Sequence, residues 1–407
     1  MPVCFIIFSP SSPDFLPMTP TVEETATSLD RSRFSRLCAA TLAHFLVMGI
    51  FLSALPLFVT DELGGSRAAV GASVGSFFVA ALLFRPSIGR GMDRRGRKPF
   101  LVGAPLLVLA TSLCLIPTTS LGVVVAIRFV QGLAGAAFYT AAATVATDLA
   151  PEGRRAEIIT LFSLFLYGGL ALGPAIGERL ADGSFTRVWL VAALAAAVAA
   201  GATLSVGETR PVGSVTGHRR FALHPSAIAP GVVLLCAAAG YSAITSFSPL
   251  YARTIDLASS EGLYGTFAIT IIGVRVAARR MADNLGRTRV AFPGLVAAAA
   301  GLASLALFRS ELSAYAGVAL YGGGFALIFP ALMALTVDRT IEAERGEALG
   351  SFTAFFDLGA GIGSYAVGWI AGAYGFGWGF GLPCALCIFG ATAALRLGRT
   401  TPTSTTV

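Results

Sequence analysis

The chain is poor in charge. Of its 407 residues only 13% are charged, whereas soluble globular domains carry about 25%. In the same chain 55% of the residues are hydrophobic. A soluble fold of this length lacks the interior to bury that much apolar surface. The composition therefore excludes an ordinary soluble domain and predicts an integral membrane protein whose apolar side chains face lipid.

Several chemical signatures are also missing. The six cysteines have no disulfide-framework spacing, and no His, Cys and Asp cluster has metal-ligand spacing. No Gly-x-x-x-x-Gly-Lys-Ser/Thr phosphate loop occurs. A Gly-x-Ser-x-Gly sequence at 71–75 lies inside a predicted helix, where the hydrolase motif would need a preceding strand. We therefore predict that the chain is not an enzyme and uses no cofactor and no metal.

What is abundant is apolar sequence in stretches of about 20 residues, the length that spans a bilayer as a helix. Backbone polar groups in lipid need internal partners, so each stretch is predicted to be helical. The prediction is an all-α integral membrane protein with twelve transmembrane helices, near 37–59, 68–90, 99–117, 121–146, 157–178, 187–206, 227–252, 262–282, 290–308, 313–336, 348–371 and 377–396.

The basic residues predict the orientation. With the amino terminus in the cytoplasm, 21 of the 29 Lys and Arg residues fall on the cytoplasmic face. Five fall outside and three lie within helices. This asymmetry predicts cytoplasmic termini. It also accounts for the net charge of +7 through contact with anionic lipid headgroups, so no nucleic-acid partner is needed.

A charged segment, 89–99, stands between two apolar stretches and has a degraded copy 190 residues later. In the copy, Arg85, Asp93, Gly96 and Arg97 recur as Arg275, Asp283, Gly286 and Arg287. Eight of 26 positions from 148 to 173 also match their partners at this offset. We therefore predict two six-helix bundles related by a pseudo-two-fold repeat, 35–206 and 227–397. A cytoplasmic linker, 207–226, joins them, and disordered cytoplasmic tails, 1–34 and 398–407, flank them. Duplicated membrane bundles are typical of secondary transporters.

The segment Gly89-x-x-x-Asp93-Arg94-x-Gly96-Arg97-Lys98 resembles the signature of the major facilitator superfamily. The resemblance covers about 35–398. It implies two bundles that rock around a central cavity, with the signature Asp locking a gate at the cytoplasmic start of helix eleven, a helix amino terminus. The implied gating residues are Gly89, Asp93, Arg94, Gly96, Arg97 and Asp148, with Asp283, Gly286 and Arg287 in the second copy.

Helix five carries Gly169, Gly173, Pro174 and Gly177, which resemble a motif of exporters, chiefly drug/proton antiporters. The chain departs from that pattern at Thr160 and Glu178, where glycine is expected. Glycines four residues apart let helices approach closely. We expect this face to form the interface between the bundles, and simple packing is the alternative.

Ionisable groups inside membrane helices are costly and are functional candidates. Asp357 lies near the middle of predicted helix eleven, where it either binds a proton or substrate or is satisfied by a neighbouring helix. Arg128 in helix four resembles the family's arginine motif for proton coupling, and coupling, substrate contact and a structural role stay open. His44 in helix one titrates near neutral pH in water, or it is structural. Arg85 and Arg275 are expected to reach the interface beside the helix ends.

We therefore predict a secondary active transporter that exports small amphipathic or apolar solutes against proton flow by alternating access. Its partners would be the small-molecule substrate, protons and the lipid bilayer, and the monomer is expected to function in the plasma membrane, the inner membrane of a bacterium. The alternative is an uptake symporter for a sugar or an organic anion. A membrane-embedded sensor without transport is a more remote alternative.

Overall fold

The computed structural model describes residues 29–151, 154–209, 223–278, 287–341 and 344–399. This part of the chain folds into twelve α-helices, with one π-helical extension, Phe58–Glu62, after the first. In chain order the helices are α1 Arg31–Leu57, α2 Arg67–Arg95, α3 Lys98–Cys114, α4 Leu121–Asp148, α5 Arg155–Ala181, α6 Phe185–Leu204, α7 Pro225–Thr254, α8 Glu261–Ala277, α9 Arg287–Leu307, α10 Glu311–Asp338, α11 Arg345–Tyr374 and α12 Phe376–Arg399.

Length and composition make most of these helices membrane spans. Ten helices within the described ranges are long and apolar enough to cross a bilayer. Helix α3 is apolar but shorter, with 17 residues. The prediction of an all-helical membrane protein is confirmed at this level.

Two helix ends differ from the predicted bounds. Helix α1 begins at Arg31, inside the segment predicted as a tail, because the Asp30 side chain caps it by accepting a hydrogen bond from the Arg33 backbone N–H at 3.0 Å. Helix α2 continues through most of the charged segment to Arg95. It stops at Gly96, which adopts a φ of 88° that other residues resist.

Consecutive helices run in opposite directions, so the molecule has two ends. We call the end where α1 begins and α2 reaches Arg95 the hinge end, and the end where α1 finishes and α2 begins at Arg67 the far end. The N-terminal half comprises α1–α6 and the C-terminal half comprises α7–α12.

The glycine face of α5 packs within one half, which corrects the expectation that it lies between the bundles. A Cβ on Gly169 would come within 2.6 Å of the Leu46 backbone nitrogen, and one on Gly173 within 2.6 Å of the Gly49 Cα. Gly177 faces Ile50, and the Pro174 carbonyl accepts a hydrogen bond from Ser53 Oγ at 2.9 Å. All of these partners belong to α1, so the small residues serve close helix packing. In the C-terminal half, Gly359 and Gly363 pack α11 against α7 in the same way.

Candidate functional site

The centre of the molecule holds an ion pair between the two halves. Arg85 on α2 donates to Asp357 Oδ2 on α11 from Nε at 2.8 Å and from Nη2 at 2.6 Å. Asp357 is the thirteenth residue of the thirty-residue α11 and is only 4% exposed. A buried carboxylate needs such compensation. The structure thus answers the sequence question of whether a neighbouring helix satisfies Asp357, and the helix is α2.

The corresponding positions 190 residues away make a different contact. Arg275 on α8 lies over the ring of Tyr167 on α5, with its guanidinium carbon 4.6 Å from the ring centroid. This contact also joins the two halves. Arg275 Nε is buried and has no hydrogen-bond partner among the described residues. One arginine of the matched positions is therefore neutralised by a carboxylate, and the other is stabilised by an aromatic face.

Tyrosines connect the two arginine contacts. Tyr139 on α4 interacts electrostatically with Arg85, Arg275, Asp357 and Tyr167, so these five side chains form one group. We call them the central cluster. Arg85 and Arg275 were expected to reach the interface beside helix ends, and the structure corrects this by placing both between the halves.

Aromatic side chains surround the central cluster. Phe45 and Tyr139 meet edge to face at 6.4 Å on the N-terminal side. Phe356 contacts Tyr241 at 5.3 Å and Phe325 at 6.2 Å on the C-terminal side. A narrow pocket begins beside Tyr167 and extends between the halves, lined by Leu52, Tyr167, Leu170, Tyr241, Thr245, Tyr264, Phe267, Ala268 and Ile271. The setting suits an apolar or amphipathic solute.

The far end is closed by polar contacts across the halves. Asp61 forms a two-point ion pair with Arg253 at 2.7 Å, and the Glu178 carboxylate accepts from Ser260 backbone N–H at 2.9 Å and Ser260 Oγ at 2.6 Å. These contacts, with the Arg179–Glu261 ion pair at 3.0 Å and the bond from Arg67 to the Ala371 carbonyl at 2.8 Å, form what we call the far-end clasp.

Toward the hinge end, α2 and α11 separate. Their contact is closest near Gly71 and Gly368, where added Cβ atoms would clash with the opposite backbone. Below the Arg85–Asp357 pair, a Cβ on Gly89 or on Gly350 would meet nothing within 4 Å. Gly89 lies one turn beyond Arg85 on the same face of α2. The central cluster therefore lies where the closed far half gives way to an opening at the hinge end.

The charged segment makes contacts within the N-terminal half. Arg97 Nε lies 3.5 Å from Asp148 Oδ2. Glu208, just after α6, accepts hydrogen bonds from the backbone N–H groups of Arg97 at 2.9 Å and Lys98 at 3.0 Å, which favours the start of α3. In the C-terminal half Arg287 pairs with Asp338 at 3.1 Å, the positions that correspond to Arg97 and Asp148.

Asp93 differs from its expected placement at a helix amino terminus. It lies in the last turn of α2, because the helix continues past it to Arg95. No hydrogen bond or ion pair joins it to α11 within the described ranges, in keeping with the separation of the helices there. Arg94 is exposed in the same turn. Asp283 and Gly286, the expected second copy, lie outside the described residues.

Arg128 and His44 are buried inside the N-terminal half. The Arg128 guanidinium carbon lies 4.7 Å from the Phe77 ring centroid and 5.2 Å from that of Phe51, and Arg128 Nη1 donates to Gln131 Oε1 at 2.8 Å. His44 stacks on Phe138 with ring centroids 3.9 Å apart. Its two ring nitrogens have no hydrogen-bond partner among the described residues. Arg128 is thus held by aromatic faces and an amide, apart from the central cluster.

Sequence reasoning found Asp357 but missed its partner. Arg85 and Arg275 are basic residues in apolar helices that recur at the 190-residue offset, as do Tyr167 and Asp357. Reading these two coincidences together would have suggested an α2–α11 pair and an α5–α8 pair. Spacing along one helix could not, because the partners are 272 residues apart.

A bundle of membrane-spanning helices with a polar cluster between two halves, closed at one end, is the architecture of a membrane transporter. Comparison with known proteins agrees. The family model described as Major Facilitator Superfamily matches residues 37–340 and 263–407. The chain is 32% identical over 346 residues to an uncharacterized MFS-type transporter of Burkholderia mallei (strain SAVP1), covering 83% of this chain and 84% of the relative. The chain belongs to the major facilitator superfamily.

Solved structures share the fold. The crystal structure of the nucleoside transporter NupG superposes with a TM-score of 0.73 at 15% identity, over 91% of this chain and 100% of that one. The human organic anion transporter MFSD10 (TETRAN) gives a TM-score of 0.70 at 16% identity, over 89% and 99%. The protein is therefore a multi-pass membrane transporter with bacterial relatives, and it is not an enzyme.

Proposed function

We propose that the protein is a proton-coupled secondary transporter that exports small amphipathic solutes by alternating access. Its twelve helices act as two six-helix bundles, and the hinge end, with both termini, faces the cytoplasm of a bacterial cell. The excess of arginine at that end supports this orientation. The state described here is then inward-facing, with the far-end clasp closed on the outside.

The observation that carries the coupling proposal is the Arg85–Asp357 ion pair between the halves. In this state Asp357 is ionised and paired. A proton arriving from outside would neutralise Asp357 and release Arg85, which removes an attraction between α2 and α11 at mid-membrane. Because the pair joins the halves, a local protonation would change how the halves attract each other. A proton moving through 100 mV of membrane potential supplies about 2.3 kcal/mol to such a cycle.

The charged segment is proposed to act as the inner gate. In the alternate state the hinge ends of α2 and α11 would meet, and Asp93 and Gly89 would approach the start of α11 at Arg345. Gly96, Arg97 and Asp148 would hold the α2–α3 turn, with Arg94 beside it. Arg287, with Asp283 and Gly286, would do the corresponding work in the second half. Gly169, Gly173, Pro174 and Gly177 keep α1 and α5 together as one moving unit.

Arg128 and His44 are proposed as secondary elements of coupling. Both are buried beside aromatic rings that continue toward the central cluster through Phe138, Phe45 and Tyr139. His44, with two unpartnered ring nitrogens among the described residues, would be sensitive to a rearrangement of α1 against α4. Arg128 stabilises the packing of α2 and α4 through Phe77.

The test uses purified full-length protein in proteoliposomes. A pH gradient, acidic on the far-end side, should drive solute out of the hinge-end side, with proton movement recorded by a dye inside the vesicle. Wild-type protein should give a gradient-dependent flux that empty liposomes lack. A flux that is the same with and without the gradient would contradict proton coupling, and reversal of the required gradient would favour uptake.

Uptake of an organic anion is the second candidate, because of Arg275. This arginine lies at the centre of the molecule beside Tyr167, without a carboxylate partner within the described ranges. The organic anion transporter with the same fold is consistent with this chemistry. The direction of the gradient-driven flux separates the two candidates.

A further inference from the structure

We propose that Arg275, together with Tyr167 and Tyr139, binds the negatively charged group of an amphipathic organic anion, which is the substrate. This inference rests on the proposed function as a proton-coupled transporter and specifies which solutes it carries.

The charge of the central cluster supports an anion. Arg85 and Arg275 contribute two positive charges and Asp357 one negative charge, so the cluster carries one net positive charge with Asp357 ionised. Tyr139 and Tyr167 are neutral phenols. Arginine stays charged in proteins. A bound monoanion would bring the cluster to neutrality, and a neutral solute would leave the excess charge in place.

The neutral state matters because the cluster must be occluded during transport. Holding an uncompensated charge in a low-dielectric interior is costly. A cationic solute would raise the positive charge to two, and a neutral solute would not lower it. An anion alone among the three would make closure of both ends electrostatically favourable.

The geometry of Arg275 leaves donors for a ligand. Its recorded contact is with the Tyr167 ring face, and Nε is buried without a hydrogen-bond partner among the described residues. A guanidinium presents five N–H donors in a planar fork that matches a carboxylate or a sulfonate. Arg85, in contrast, already donates two hydrogen bonds to Asp357. Arg275 is therefore the arginine available to an incoming anion.

The surroundings select an amphipathic anion over an inorganic one. Tyr241, Phe325 and Phe356 form an aromatic wall beside the cluster, and the pocket at Tyr167 continues between Tyr264 and Phe267. An aromatic or aliphatic body would bury apolar surface there, which favours binding in proportion to the area removed from water. The anionic group would approach Arg275 from the hinge end, where Gly89 and Gly350 face open space.

The experiment measures binding of matched carboxylate and carboxamide pairs to the purified full-length chain in nanodiscs. The probes are benzoate, indole-3-acetate and 1-naphthoate with their amides, and tryptamine as a cation. We expect at least one carboxylate to bind about tenfold or more tightly than its amide, in line with hydrogen bonds to a charged group. Arg275→Gln should remove that preference and Arg275→Lys should retain part of it. Arg289→Gln, an exposed arginine on α9, should behave like wild type.

Each outcome decides the proposal. Equal affinity for every carboxylate and its amide, absence of binding by all the carboxylates, or a carboxylate preference that survives Arg275→Gln would overturn the anion site. Thermal unfolding of each variant shows whether it is folded, and Arg275→Lys keeps the test valid if Arg275→Gln is unstable. Gradient-driven flux separates the two proposals. Flux of a neutral or cationic probe that Arg275→Gln leaves intact rejects the anion site but keeps the transporter. Anion binding with gradient-independent flux rejects proton coupling but keeps the site.

Discussion

Arg85 and Asp357 are joined by two hydrogen bonds of 2.6 and 2.8 Å to one carboxylate oxygen, although 272 residues separate them. The pair connects α2 of one half with α11 of the other at the level where the closed far end begins to open. Its position makes it a link between the protonation of one side chain and the arrangement of two groups of helices.

The first prediction concerns the stability of this pair. Arg85→Gln and Asp357→Asn should each lower Tm, because each leaves an uncompensated buried charge. The double variant should be more stable than the sum of the single effects predicts, with a coupling of about 1–3 kcal/mol. Thermal unfolding of the four proteins in nanodiscs measures this cycle. The exposed Arg154–Glu157 pair provides the matched control and should show no measurable coupling. Additive effects of Arg85→Gln and Asp357→Asn would show that the pair does not stabilise the described state.

The second prediction concerns coupling. Asp357→Asn mimics the protonated carboxyl and should abolish gradient-driven solute flux in proteoliposomes, while exchange of solute between equal concentrations persists. Asp357→Glu, which keeps a titratable group, should retain part of the driven flux. The measurement is flux with and without a pH gradient for each variant. If Asp357→Asn responded to the gradient like wild type, another group would have to carry the proton.

The third prediction concerns the far-end clasp. Removing Asp61–Arg253 by Asp61→Asn and Arg253→Gln should shift the population toward a state open at the far end and closed at the hinge end. An exposed pair contributes about 0.2–1 kcal/mol, so the shift should be a few-fold. Spin labels on Gly89→Cys and Gly350→Cys, in a background without native cysteines, report the hinge-end distance.

The label pair suits this question because a Cβ at either glycine meets nothing within 4 Å. The short-distance population should grow in the clasp variant. Arg154→Gln with Glu157→Gln, which removes an ion pair within one half, serves as the control. An unchanged distance distribution in the clasp variant would mean that the clasp does not hold the far end closed.

The fourth prediction concerns the glycine face of α5. Gly173→Ala places a Cβ 2.6 Å from the Gly49 Cα on α1, so the helices must move apart, at a cost of about 1–3 kcal/mol. Gly103→Ala on α3 adds a Cβ to open space and should be neutral or slightly stabilising. Thermal unfolding compares the two. Equal Tm values would show that α1 and α5 adjust without strain.

The helices themselves followed from the sequence. The predicted stretch 121–146 lies inside observed α4, and 187–206 overlaps nearly all of α6, because backbone groups in an apolar setting have few alternatives to a helix. The family also followed, since the segment from Gly89 to Lys98 is local. Bounds were less certain where single contacts decide them, as with the Asp30 cap that starts α1 at Arg31.

Only part of the candidate site was predictable. Asp357, Arg128 and His44 stood out because charge inside an apolar helix is costly wherever it lies. Their partners did not, since a sequence gives the face of a helix but not the neighbour that it meets. The glycines of α5 show the same limit, because their spacing predicts close packing without identifying α1 as the partner.

The sequence by itself determined that this chain is a helical membrane protein of the major facilitator superfamily, because composition, apolar length and a local signature carry that information. The tertiary structure decided which charges compensate one another. It paired Asp357 with Arg85 and placed Arg275 over Tyr167, because these contacts arise only when two groups of helices pack together across hundreds of residues. Whether an intramembrane charge is neutralised depends on such contacts, and for this reason the candidate chemistry of the site emerged from the fold.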